Sequence, residues 1–401
     1  MHSLAVKMDP RDYGLARESF ILDVEIDCKI FAGRDDVKKK LEGRIRRGLI
    51  TNTSIHTFIY GDYGSGKTHT LHFFHNYVSE QHGIDILPIF VPQPQVDARS
   101  TPSDLFQAII TAISPVEIFE LFTTIWDEHQ SELQERTELS NRVKVLQKSV
   151  KNRDLAYVIH KYYISRPQED YAVIKWLSGQ KCTSKEKESL QVISDNSDPN
   201  IAIRTLISIF QLFNKYKGKY ILLLLDELET LSVLNNRKMT EFETFFRQLV
   251  SEQQGIATVM AQSAEQSIED GIRIFFPTSP VGTRIGYPQN YIWLKPFEDS
   301  VQIKDFWKDL TKLLRPKDMT KQELSVLIEK AKDKTDETLN PDCFPFTEEA
   351  FELMAQSQLE QLPRGLFPRD IEKCATQCLG EAMSKDKGII TTEEVSVVME
   401  V

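Results

Sequence analysis

The chain has 401 residues, 41% apolar and 27% charged, with 59 acidic against 49 basic side chains and a formal net charge of −10. That composition can bury real cores, and the length predicts two or three domains. The acidic balance excludes a general nucleic-acid coat, because phosphates are bound by clustered Lys and Arg. No apolar run nears the roughly 20 residues of a membrane span. The start, MHSLAVKMDPRDYG, lacks the apolar stretch of an export signal, and the five cysteines contain no CxxC pair. The expectation is a protein of the reducing cytoplasm, with no disulfide framework and no membrane contact.

In chain order, Asp36–Ile50 places Val37, Leu41, Ile45 and Leu49 at every fourth position, the stripe of an amphipathic helix. Five short apolar segments then read as buried strands: Thr57–Tyr60, Ile86–Val91, Tyr220–Leu225, Ile256–Ala261 and Tyr291–Leu294. Helical patterns separate them, and that alternation predicts an α/β fold with a five-stranded parallel sheet. The stretch from about 103 to 218 is far longer than a crossover requires. It predicts a helical insertion at about 114–200, with Leu139, Val143, Leu146 and Val150 on one helix and Lys181–Asn200 as a loop. After Pro296 the strand signals stop. Val301–Leu314, Thr347–Gln356, Pro368–Met383 and Thr392–Met399 read as helices of a C-terminal lid domain at about 296–401, behind a core at 31–295 and an N-terminal extension at 1–30.

GDYGSGKT at Gly61–Thr68 satisfies GxxxxGK[ST] in full. Gly61, Gly64 and Gly66 permit backbone conformations that a side chain would block, so that N–H groups turn inward as an anion nest. A following helix adds the positive end of its dipole. Lys67 suits the β- and γ-phosphates, and the Thr68 hydroxyl suits Mg2+. The context agrees, with the strand-like IHTFIY before the motif and the helical THTLHFFHNYV after it. Gly61, Asp62, Tyr63, Gly64, Ser65, Gly66, Lys67, Thr68 and His69 are therefore the candidate contacts of ATP.

YILLLLDE at Tyr220–Glu227 is a buried-strand pattern ending in two acids. Ligands of open α/β sheets sit at such strand ends. Asp226 is the candidate Mg2+ partner beside Thr68, and Glu227 the candidate that orients and polarises the attacking water. Without the upstream glycine-rich motif, two solvated acids in a turn would be the simpler reading.

The paired acids and the helical C-terminal region resemble the AAA+ ATPases, and within them the branch of archaeal replication initiators. A GTPase reading fails because Asn214–Lys215 is followed by Tyr216 and Lys217 rather than the NKxD aspartate. Phe31–Asp35 resembles the branch's entry motif, which implies a place for Arg34 near adenine. The resemblance further implies a polar first sensor at Gln262 or Ser263 and an arginine finger at Arg284, with Arg273 as rival, reaching a neighbouring copy of a homo-oligomer. It implies a second-sensor arginine at Arg369 in GLFPRDIEKC. More narrowly, KWLSGQ, the helix through Ile201–Phe213 and GKYILLLLDELETL resemble ATP-binding proteins of BREX-type phage-defence loci, whose DExE matches Asp226–Glu229.

Other signals read as structural. His69, His72 and His75 drift around their helix and do not converge as metal ligands. Cys374 and Cys378 share an apolar helical face with Ile371, Ala375 and Leu379. Two basic runs, Lys38–Arg47 and Arg142–Arg153, are solvated faces on the bland reading and DNA-following faces in a ring ATPase. Three functions compete. One is an ATPase switch acting on DNA or a DNA-processing complex. Another is a slow-hydrolysing scaffold that recruits a protein partner such as a nuclease or helicase. The third is a small-molecule kinase.

Overall fold

A computed structural model describes residues 9–94, 96–165, 171–265, 267–362 and 364–400. The chain divides into two compact units, one of residues 41–61 and 74–293, the other of residues 1–40, 62–73 and 294–401. The helix α1 (Asp35–Thr51) precedes the first strand, and α2 (Lys67–His82) follows it.

The first unit is built on a five-stranded parallel sheet: β1 (Ile55–Gly61), β2 (Ile86–Val91), β3 (Tyr220–Leu225), β4 (Ile256–Ser263) and β5 (Tyr291–Trp293). Its strand order is β2-β3-β4-β1-β5, with every pairing parallel. All five predicted strands are present, within a few residues of their expected ends. Position explains their composition. The near-central β3 is covered on both faces, so each of its six residues is buried and apolar. At the edge, β2 tolerates Pro88, whose missing N–H costs a ladder bond in an inner strand.

Among the described residues between β2 and β3 run eight helices: α3 (Pro102–Ile113), α4 (Pro115–Glu128), α5 (Gln130–Gln134), α6 (Leu139–Gln147), α7 (Arg153–Ser165), α8 (Tyr171–Leu177), α9 (Ser184–Leu190) and α10 (Pro199–Lys217). Their apolar faces join those of the sheet in one cluster, in which Trp176, Phe122 and Phe213 are fully buried. The expected loop at Lys181–Asn200 is partly wrong. It contains α9, which starts with a capping box in which Thr183 and Glu186 satisfy each other's backbone donors. That local signal outweighs the polar composition. Asp198 caps α10 by accepting from Asn200 N–H at 2.8 Å, with Pro199 as its first residue. After β3 come α11 (Asn236–Leu249) and α12 (Pro280–Ile285).

The other unit has its own core of Trp307, Phe346, Phe351, Ile371, Cys378 and neighbours. It contains α13 (Ser300–Leu314), α14 (Lys321–Lys332), α15 (Glu348–Gln361), α16 (Pro368–Ser384) and α17 (Thr392–Met399). Cys374 and Cys378 are buried here, as their apolar neighbours on α16 imply. An early segment of the chain packs on these helices. Ala16 N–H donates to Leu314 O at 2.9 Å, Phe20 N–H to the Thr376 hydroxyl at 3.0 Å, and the Phe20 ring sits 4.7 Å from Trp307.

Beneath that segment lies Glu372 of α16, 6% exposed, accepting Leu22 N–H at 3.3 Å. Burial outweighs this bond and raises its pKa from 4.5 to about 7. Below the unfolded value both states hold the proton. Between the two values only the folded state does, so the stability this group confers falls as pH rises through about 7. Glu372→Gln keeps an acceptor for Leu22 and removes the proton. Urea denaturation should show it more stable than wild type at pH 8, by up to roughly 3 kcal/mol, with the gap closing toward pH 4.5.

Candidate nucleotide site

The glycine-rich bend lies in the unit that carries α13–α17, apart from Gly61, which ends β1. Gly64 and Gly66 hold φ of +81° and +93°, the left-handed region that a side chain disfavours. Between them Ser65 is fully buried, and among the described residues its hydroxyl has no partner. Ser65 N–H donates to Asp62 O at 3.2 Å, and the Lys67 ammonium folds back onto the same carbonyl at 3.0 Å. Lys67 then opens α2, whose first turn closes through Thr70 N–H to Gly66 O at 2.9 Å. Thr68 is half-buried on that turn. The His69 imidazole lies 2.5 Å from Ile30 O, and burial lowers its pKa, so its ring is engaged with protein.

Three arginines of the same unit frame the bend and the entry segment. Arg369, at the start of α16, donates to the Tyr63 hydroxyl at 2.8 Å with its guanidinium 5.0 Å from the ring centre. Its Cβ would stand 3.2 Å from any Cβ placed on Gly64. Arg364 reaches Asp62 at 3.3 Å and Asp370 at 3.1 Å. Arg364 stands five residues before Arg369 in PRGLFPRD, and no sequence motif singles it out. Arg34 donates to Lys295 O at 2.8 Å, 5.7 Å from the Phe297 ring, and its Nε has no partner among the described residues. Loss of solvent lowers its pKa to about 10, so it stays charged at neutral pH.

The acidic residues lie in the sheet unit. Asp226 follows β3 and is 1% exposed, its Oδ1 accepting Glu227 N–H at 2.9 Å. Glu227 has φ +48° and ψ 41°, an uncommon conformation for a side-chain-bearing residue, and it heads the 3-10 turn Leu228–Val233. Its carbonyl accepts from Thr230 N–H at 3.1 Å and the Thr230 hydroxyl at 2.9 Å. Gln262 and Ser263 end β4. The Gln262 side chain accepts Ile272 N–H at 3.1 Å, and its amide nitrogen lies so close to Gly271 that a Cβ there would fall 1.8 Å away. Ser263 instead meets Glu229, the second glutamate of DExE, whose role no motif discloses. Arg284 is exposed near the end of α12, with Nη1 on Pro280 O at 2.9 Å, and Arg273 is also exposed.

The basic runs divide. Lys38 lies 5.0 Å over the Phe73 ring, and Arg44 donates to the Thr57 hydroxyl at 3.1 Å and to Gln289 O at 2.7 Å. Both contacts are structural. Lys39, Arg46 and Arg47 are exposed. In the insertion Lys148 pairs with Glu132 at 2.5 Å and Arg153 with Asp154 at 2.9 Å, which offsets part of that face's charge. No group of His, Cys, Asp and Glu among the described residues forms a metal cluster, and no single described helix is long and apolar enough to cross a membrane.

Residues 106–285 match the family model described as BREX system ATP-binding protein BrxC/D. That stretch holds Asp226, Glu227, Glu229, Gln262, Ser263 and Arg284 but not the glycine-rich bend. The comparison with curated proteins returned no match. Among solved structures, the ORC1 protein of Aeropyrum pernix in complex with DNA is similar at 11% identity and a TM-score of 0.46, over 93% of this chain and 66% of that one. This chain thus spans just under two thirds of that protein. Cdc6p of Pyrobaculum aerophilum is similar at 13% identity and 0.44, over 98% and 71%. A Walker-type ATPase of Pyrococcus abyssi is similar at 13% and 0.37, over 91% and 70%. With every score below 0.5, the fold is read from the sheet itself. The chain carries a five-stranded parallel α/β sheet of order β2-β3-β4-β1-β5 and resembles the BREX system ATP-binding protein BrxC/D over residues 106–285.

Proposed function

We propose that the chain binds Mg-ATP and hydrolyses it, and that this cycle drives an assembly or conformational switch in BREX-type phage defence, acting on DNA or on a DNA-processing complex. The observation that carries the reading is the bend itself: left-handed Gly64 and Gly66, the buried Ser65 hydroxyl with no partner among the described residues, and Lys67 at the head of α2. Such a bend offers backbone N–H groups and a helix dipole to phosphate. In the sheet unit, the carboxylate of Asp226 at the end of β3 is of the ligand type that Mg2+ takes.

Thr68 and Asp226 would hold Mg2+, which supplies charge stabilisation for the transferring phosphoryl group. Lys67 would exchange its contact with Asp62 O for phosphate oxygens. Glu227 would orient and polarise the attacking water. Arg369 would leave Tyr63 for the nucleotide, and Arg34 would serve near the base. Arg284, exposed, would complete the site of a second copy in a homo-oligomer, with Arg273 as its rival. Gln262 and Ser263 remain the first-sensor candidates. Arg46, Arg47 and Lys39 are the side chains best placed to follow a DNA backbone, since Lys38 and Arg44 make structural contacts.

Three measurements test this reading. ATP at about 100 times its dissociation constant should stabilise wild type by roughly 2.7 kcal/mol, and Lys67→Ala should abolish the melting shift. A shift that survives the substitution places the nucleotide elsewhere. Glu227→Gln should bind ATP within about threefold of wild type yet lose turnover by roughly two to three orders of magnitude, read by phosphate release. DNA should raise wild-type hydrolysis several-fold, and Arg46→Glu/Arg47→Glu should remove that stimulation while leaving basal turnover intact. Flat hydrolysis with and without DNA favours the scaffold that recruits a protein partner, and transfer of phosphate to an acceptor other than water favours a kinase.

A further inference from the structure

The ladder between β3 and β4 stops at Leu225 opposite Met260, whereas β4 continues beside β1 until Ser263 stands opposite Gly61. In a parallel strand, successive N–H groups point to opposite neighbours. Ala264 N–H donates toward β1, to Gly61 O at 3.1 Å, so Ser263 N–H faces the side from which β3 has turned away. Glu229 takes its place. Its Oε2 accepts Ser263 N–H at 3.0 Å, and its Oε1 accepts the Ser263 hydroxyl at 2.5 Å. One side chain thus substitutes for the missing strand and ties the 3-10 turn Leu228–Val233 to the end of β4.

That turn is headed by Glu227, whose left-handed backbone is held on one side by its N–H on Asp226 and on the other by Thr230 on its carbonyl. A left-handed residue with a side chain persists only where its surroundings over-determine it. Glu229 supplies the contact that anchors the turn to the sheet.

We propose that Glu229 is a positioning residue for hydrolysis: through its two bonds to Ser263 it fixes the turn that aims the Glu227 carboxylate, without itself touching nucleotide or metal. It follows that Ser263 acts through Glu229, its hydroxyl proton being directed at that carboxylate. This rests on the reading of Glu227 as the residue that orients water.

The test uses the full chain and compares Glu229→Ala, Glu229→Gln, Ser263→Ala and the Glu229→Ala/Ser263→Ala pair with Glu227→Gln as control. Nucleotide affinity, KM, kcat and melting temperature are measured for each. Glu229→Ala should lower kcat at least 30-fold with KM and affinity within threefold of wild type. Ser263→Ala should lower kcat less, because its N–H remains. The double variant should fall within twofold of Glu229→Ala, as expected where one contact carries both effects. Glu229→Gln offers an acceptor to the Ser263 N–H and an amide donor to its hydroxyl, and should recover at least a third of wild-type kcat. In nucleotide-free protein, Ser263 N–H should exchange with solvent at least tenfold faster in Glu229→Ala than in wild type. A Gln variant as inactive as the Ala variant overturns the proposal in favour of a direct role for the charge. So does an unchanged kcat, or a loss of affinity equal to the loss of kcat. If Glu229→Ala does not fold, the Gln and Ser263→Ala variants decide. Wild-type turnover that does not depend on Glu227 overturns the hydrolytic reading and this proposal together. Turnover that depends on Glu227 but not on Glu229 overturns this proposal alone.

Discussion

The parallel register of β1, β4 and β3 is the constraint on which the rest depends. Because all three strands run the same way, their C-terminal ends open on one edge of the sheet, the edge where α/β proteins place ligands. β1 delivers Gly61, the first residue of the glycine-rich motif, and β3 delivers Asp226. β4 lies between them and outruns β3 by a few residues. That unequal length gives Ser263 an N–H with no strand to receive it, and it is why a glutamate side chain is needed at the end of the sheet.

Charge is handled differently in the two units. In the sheet unit the acids are drawn inward: Asp226 is buried at the strand end, and Glu229 is fastened to β4 by two donors. In the helical unit the bend is ringed by cations that already have partners. Arg364 sits on Asp62 and Asp370, Arg369 on Tyr63, and Lys67 on Asp62 O. Most of these contacts are exposed or neutral, and exposed pairs of this kind are worth at most about 1 kcal/mol each. Charge-assisted bonds to a polyanion are stronger than contacts of this kind.

Backbone strain is placed where the chemistry would need fixed geometry. Glycines carry the left-handed positions in the bend, where a side chain would be strained. Glu227 carries one with a side chain, directly after the buried Asp226. The surrounding bonds to Asp226 and Thr230, and the anchor through Glu229, hold that conformation in place.

The five strands were legible in the sequence because burial on both faces leaves an uninterrupted apolar run, and α1 and the C-terminal helices because a single buried face repeats every three to four residues. The bend was legible because its motif fixes glycine and lysine types at set spacing, and Asp226–Glu227 because they end a strand of that kind. What the sequence did not disclose depended on contacts between segments distant along the chain. α9 hid in polar composition because its start is set by a capping box and not by apolar period. Arg44 and Lys38 looked like members of a basic face until their partners were visible. Arg364 gained meaning only through Asp62, and Glu229 only through Ser263, 34 residues away in sequence. Residue type and spacing follow from local backbone geometry and burial, and so can be read along one dimension. Which polar groups satisfy one another is settled only when the strands end at different heights and the open donors must find acceptors across the fold.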